Sequence, residues 1–156
     1  MNIILNLNNI NSYNVCFLEP KKNIIMDGLF TKINFLNEYL TMNGIFIIFP
    51  IEQYSIENNE KKYYLKFNHT SNMRTVQEFS KLENNLLELY NTNHNRNKKK
   101  SMLLSKQLFN GYIKIYKEKV DVIHDKLRLV MKISGIWENE TEIGLTYKLF
   151  LSQEYV

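Results

Sequence analysis

Apolar residues in the first half of the chain come in short blocks or strict alternation, at 13–18, 29–36, 44–51 and 62–67. Blocks of this length, rich in Ile, Phe and Tyr, predict β-strands, because branched and aromatic side chains pack well on a pleated, half-buried surface. Turn chemistry separates them: Glu19-Pro20, Asp27-Gly28, Asn43-Gly44 and Glu57-Asn58-Asn59-Glu60 all favour chain reversal.

The period then changes. Val76, Phe79, Leu82, Leu86, Leu87 and Tyr90 recur at three- and four-residue steps, the signature of one apolar helix stripe, so a helix is expected over 76–90, packed on the sheet. Thr75 and Glu78 fit a capping box, in which hydroxyl and carboxylate satisfy free amides of the first turn. The stretch that follows, including His94-Asn95-Arg96-Asn97-Lys98-Lys99-Lys100, lacks apolar residues and reads as a mobile basic loop at about 91–101. Residues 102–109 suit a short helix or a strand equally.

From 111 to 117 alternation returns, with Tyr112, Lys114 and Tyr116 on a wet face and Ile113 and Ile115 opposite. Segments 127–137 and 142–151 flank the polar connection Glu138-Asn139-Glu140-Thr141 as a hairpin, its second strand turning Ile143, Leu145, Tyr147, Leu149 and Leu151 to the core. The expected fold is mainly β with one α-helix (α+β) and antiparallel strands. The helix follows the first strands and the hairpin ends the chain. A five-stranded OB barrel with additions has this order, and so does a sandwich.

Length and composition narrow the picture. At 156 residues, with no repeat and no Gly/Ser/Pro-rich linker, a single domain over 1–156 is expected. Alanine is absent while Asn, Ile, Lys and Tyr abound, as AT-rich coding produces, and losing the best helix former tilts the chain further toward strands. Cys16 is the only cysteine. This excludes an internal disulfide and fits a small core residue in a reducing compartment. Residues 1–11 lack the charged head and apolar run of a signal peptide, and the apolar run at 45–51 is far short of the roughly 20 residues a spanning helix needs. An intracellular, non-membrane protein is expected. The sequons Asn68-His69-Thr70 and Asn139-Glu140-Thr141 are then accidents of asparagine abundance.

Candidate chemistry is sparse. His69, His94 and His124 stand in separate polar segments, without a phosphate loop, a paired-cysteine metal site or a His-Glu-x-x-His helix. Glu138, Glu140 and Glu142 read as a solvated hairpin tip, lacking an aspartate-rich calcium loop. No catalysis, metal or small-molecule cofactor is expected.

Charge carries more information. Residues 1–60 hold three lysines against six acids, whereas 61–100 hold nine basic residues against three acids. A local cation surplus neutralises phosphates and releases their counterions. Aromatics interleave with cations in Lys61-Lys62-Tyr63-Tyr64-Leu65-Lys66-Phe67 and in Tyr112-Ile113-Lys114-Ile115-Tyr116-Lys117, the combination that single-strand binders use to stack bases and hold the backbone. Lys62, Tyr64, Lys66, Tyr112, Lys114 and Tyr116 are therefore the candidate binding face. Arg96, Lys98, Lys99 and Lys100 form a candidate phosphate-touching loop. Ordinary packing competes for the rings, and solvation alone accounts for many charge runs.

The stretches Lys132-Ile133-Ser134-Gly135-Ile136-Trp137-Glu138 and Ile143-Gly144-Leu145-Thr146-Tyr147-Lys148 resemble the endings of small proteins encoded by large nucleocytoplasmic DNA viruses. Glu19-Pro20-Lys21-Lys22-Asn23, Phe30-Thr31-Lys32-Ile33 and Asn43-Gly44-Ile45 resemble them too, and together these cover about half the chain. The resemblance implies an infected host cell's cytoplasm or nucleus, or the virion. It transfers no functional residue, because most such proteins have no assigned role. Viral single-stranded-DNA-binding proteins are similar in size class and in OB-type strand order. Many of those end in an acidic tail, whereas this chain ends Ser152-Gln153-Glu154-Tyr155-Val156. The leading expectation is a non-enzymatic accessory protein that binds single-stranded DNA or RNA. The alternative is a viral structural or interaction module that forms a homo-oligomer through a sheet edge or apolar patch.

Overall fold

The computed structural model describes residues 3–116 and 127–153. Among these residues the elements run β1 (Val15–Phe17), β2 (Lys21–Lys22), β3 (Leu29–Leu36), β4 (Thr41–Asn43), β5 (Ile45–Ile48), β6 (Tyr54–Asn59), β7 (Lys62–Phe67), α1 (Met73–Asn93), β8 (Lys99–Ser101), α2 (Leu103–Asn110), β9 (Tyr112–Tyr116), β10 (Leu127–Glu138) and β11 (Glu142–Gln153). Strands β3 and β7 coincide with the alternating blocks of the sequence. The unforeseen β6 has six exposed residues and so no burial alternation to reveal it.

The β10–β11 hairpin is the spine. Its antiparallel register runs from Leu127↔Gln153 to Glu138↔Ile143, with a bulge between Ile133 and Gly135. The free edge of β10 is shared, β5 pairing with 130–133 and β3 with 135–138. On β11, β8 pairs with 142–144 and β9 with 149–150, both parallel, and α2 lies between those two strands in the chain.

Three expectations are corrected here. The sheet is mixed, not purely antiparallel, because a helix between β8 and β9 lets the chain rejoin the same edge in the same direction. Its path β1-β3-β10-β11-β9-β7-β6 ends at separate strands, so the sheet stays open and does not close as an OB barrel would. There are two α-helices among the described residues, not one. The ambiguous segment 102–109 is helical, burying Leu104 and Leu108, and Gly111 ends it in left-handed backbone.

One side of the sheet holds the core. Ile33, Ile45, Leu65, Ile113, Met131 and Ile143 meet Phe79, Leu87 and Tyr90 of α1 and Leu104 and Leu108 of α2 in a single buried cluster. The helix stripe was legible, yet α1 extends beyond 76–90 at both ends and the capping box does not form. Thr75 lies inside the helix, and Glu78 instead pairs with Arg74 at 3.2 Å. The Asn72 side chain receives the Glu52 amide at 2.8 Å and donates to the Glu52 and Asn68 carbonyls at 2.9 and 3.0 Å. A side-chain amide can serve a backbone N–H and C=O at once, as a paired strand does. In this way Asn72 fixes the start of α1 to the chain after β5.

Of the segment expected as a loop at 91–101, only 94–98 lies outside helix and strand. Asn91 and the helix continue to Asn93, the Arg96 amide returns to the Asn91 carbonyl at 2.8 Å, and Asn91 brackets Lys98 through both side-chain atoms. Lys99–Ser101 then joins the sheet as β8. Backbone hydrogen bonding overrides the lack of apolar residues in this stretch.

Candidate nucleic-acid interface

In β7 the side chains of Leu65 and Phe67 enter the core, so Lys62, Tyr64 and Lys66 point the other way. β9 does the same, burying Ile113 and Ile115 and turning out Tyr112, Lys114 and Tyr116. The register Tyr64↔Lys114 and Lys66↔Tyr112 brings the two rows together. All six residues expected from the sequence therefore share one sheet face, opposite the helices. The rings of Tyr64 and Tyr112 stack at 4.8 Å with 9° between planes. Desolvation, followed by the charge of Glu57, pushes the Tyr112 hydroxyl above the ordinary phenol range, so its ring is neutral at physiological pH. Lys66 reaches Glu57 at 3.6 Å, an exposed pair that holds the lysine only weakly.

The face continues across β11 and β10. Lys148 Nζ lies 4.8 Å and Lys114 Nζ 4.6 Å from the centre of the Tyr116 ring, so two strands bring two ammonium groups to one aromatic side chain. Lys132 sits opposite Lys148 and over Phe46 at 5.3 Å. Among the described residues none of Lys114, Lys132 and Lys148 enters an ion pair. Beyond them the bulge resets the alternation, and Trp137, paired with Phe30, lies on the same outward side. A Cβ on Gly144 would come within 2.4 Å of the Trp137 ring, and one on Gly135 within 2.6 Å of Phe30. Only glycine lets these rings come this close to the backbone.

Sequence reasoning missed Phe30, Lys32, Phe46, Lys132, Trp137 and Lys148. The core face read for 142–151 did leave Lys148 on the other side. What could not be read was which distant strands stand beside β9.

The remaining four candidates lie elsewhere. Arg96 Nε and Lys98 Nζ bind Glu138 Oε1 at 2.7 and 3.0 Å, with the carboxylate side chain only 1% exposed. The Tyr90 hydroxyl donates to Glu138 Oε2 at 3.1 Å and lies 3.3 Å from Thr31 Oγ1. Lys99 reaches Glu142 at 3.9 Å, and Lys100 meets Glu88 at 2.5 Å and Asn84 at 2.9 Å. The cations of this run are thus met by Glu138, Glu142 and Glu88, and the solvated hairpin tip is corrected at Glu138, which is buried. Burial would raise its carboxyl, but hydrogen bonds from Lys98 and Arg96, the charge of Lys98 and the Tyr90 hydroxyl outweigh it and hold the group below the usual carboxylate range.

A second buried carboxylate, Glu83, serves the fold. It accepts the amides of Leu104 and Ser105 at 3.0 and 2.9 Å and lies 2.5 Å from the Ser105 hydroxyl, capping α2 from a neighbouring helix. His94 stacks on Tyr90 at 4.2 Å, and its Nδ1 lies 3.1 Å from the Tyr90 carbonyl. His69 lies 6.3 Å from Phe109. His124 and Lys117 fall outside the described residues. Cys16 is half-buried at β1 and not part of the core. No helix among the described residues is long and apolar enough to cross a membrane. No family model matches the chain, and neither a curated protein nor a solved structure does so.

Proposed function

We propose that this chain binds single-stranded nucleic acid across the outward face of its sheet, with tyrosine and phenylalanine rings receiving bases and lysines receiving phosphates. The carrying observation is the Tyr116 ring flanked by Lys114 and Lys148. Gathering like charges at one ring with no carboxylate partner among the described residues costs Coulomb energy, and a polyanion turns that cost into attraction. The stacked Tyr64–Tyr112 pair and Lys66 extend the same row. Arg96 and Lys98 act within the protein on Glu138, and Lys99 and Lys100 contribute less than their position in a charge run suggested.

Stacking tolerates any base, so affinity for a labelled thymidine oligonucleotide is expected at low salt, falling steeply as salt is added, with little sequence preference. Fluorescence anisotropy reads this directly. No binding at low ionic strength would remove the proposal. A homo-oligomeric interaction module is the second reading, favoured by the edge strand β6, where Tyr54 and Ile56 stay partly exposed. Light scattering would then give a defined multimer whether or not nucleic acid is present.

A further inference from the structure

At the far end of this face the chain between β2 and β3 forms a closed loop. The Asn23 amide meets the Gly28 carbonyl at 2.9 Å, and the Ile25 amide meets the Asn23 side chain at 3.0 Å. The loop presents Ile24 and Ile25 to solvent at 100% and 96% exposure. Between it and the sheet lies a mainly apolar cleft of about 850 Å³, lined by Ile24, Ile25, Phe30 and Trp137, with Lys21 and Lys32 among its walls. That volume falls in the roughly 300–1,000 Å³ span of small-ligand sites.

Resting on the function proposed above, we infer that this cleft takes one base of the bound strand, held between the Trp137 and Phe30 rings and the isoleucines of the loop, with Lys21 and Lys32 on its phosphate. Three features select this occupant. The two glycines let the rings close onto the backbone, so that aromatic surface, which suits a planar group, lines the cleft. Lys21, Lys22 and Lys32 line the cleft against a single carboxylate, Glu19, which suits an anion attached to an apolar body. Thr146 belongs both to the cleft and to the strand that carries Lys148 toward Tyr116, so a strand on the face runs directly into it. The cleft then anchors one nucleotide while the rest of the sheet grips its neighbours without regard to sequence.

Trp137 is the chain's only tryptophan, so its emission reports on the cleft alone. The protein is titrated with thymidine monophosphate and with a thymidine oligonucleotide, following both Trp137 emission and oligonucleotide anisotropy. Saturable quenching by both ligands is expected. The exposed-loop variant I24S/I25S should weaken the mononucleotide roughly tenfold or more, the loss of one to two buried isoleucine contacts, whereas Lys66→Gln should weaken only the oligonucleotide. Oligonucleotide binding with unmoved Trp137 emission overturns the cleft and leaves the face. Quenching by the mononucleotide without oligonucleotide binding keeps the cleft and overturns the face. Absence of both overturns both, and a Trp137 shift produced by anionic phosphatidylserine vesicles but not by nucleotide assigns the isoleucines to lipid and overturns the inference.

Discussion

Replacing Glu138 with glutamine removes the charge on which Arg96 and Lys98 converge while keeping nearly the same volume. The carboxylate side chain is 1% exposed, and its partners are 37% and 24% exposed, so both cations keep some water in the variant. Breaking a fully buried pair costs about 3–5 kcal/mol, and this partial hydration brings the expectation down to about 2–3 kcal/mol at pH 7. For a chain of this size that corresponds to a melting temperature about 5–10 °C lower. Acid adds a sharper signature. Because the folded carboxyl titrates below its ordinary value of 4.5, its stabilisation is complete above that pH and disappears as pH falls through the lowered value. Urea unfolding of the wild type and E138Q between pH 7 and pH 3 should therefore show a gap that narrows in acid. A gap under about 0.5 kcal/mol at neutral pH, or one independent of pH, would refute the structural assignment of Arg96 and Lys98.

Three further outcomes are expected. Glu83→Gln removes the charged acceptor from two α2 amides and should cost about 2–3 kcal/mol in urea unfolding, with faster amide exchange at Leu104 and Ser105. Gly144→Ala drives a methyl into the Trp137 ring. It should cost about 1–3 kcal/mol and shift tryptophan emission; an unchanged spectrum would contradict the described ring placement. Burial, followed by the charges of Glu83 and Tyr116, holds the Tyr147 hydroxyl above the ordinary phenol value of 10.0. The protonated folded form is favoured, so this contribution is lost as pH rises past that value, and Tyr147→Phe should flatten alkaline unfolding.

Local periodicity was legible wherever one face of an element is buried. The α1 stripe, β3, β7, β9 and the final hairpin all show it, and with them the six-residue face of Lys62, Tyr64, Lys66, Tyr112, Lys114 and Tyr116. What escaped depends on pairing between distant segments. β6 has no buried face, β8 is held by β11, and α2 takes its cap from Glu83 of another helix. Parallel pairing of β8 and β9 with β11 leaves no local trace, so the open mixed sheet could not be told from a barrel. Charge runs misled for the same reason. The count over 61–100 omits Glu138 and Glu142, which lie close only in the fold.

The most direct test compares salt dependence across variants of the same protein. Each lysine–phosphate contact with a single strand contributes about 0.7 to the logarithmic slope of affinity against salt, so Lys114→Gln combined with Lys148→Gln should lower that slope by about 1.4. Lys81→Gln, on the exposed surface of α1, should leave it unchanged. Equal slopes for all three proteins, or a larger loss from the α1 variant, would contradict binding on the outward sheet face.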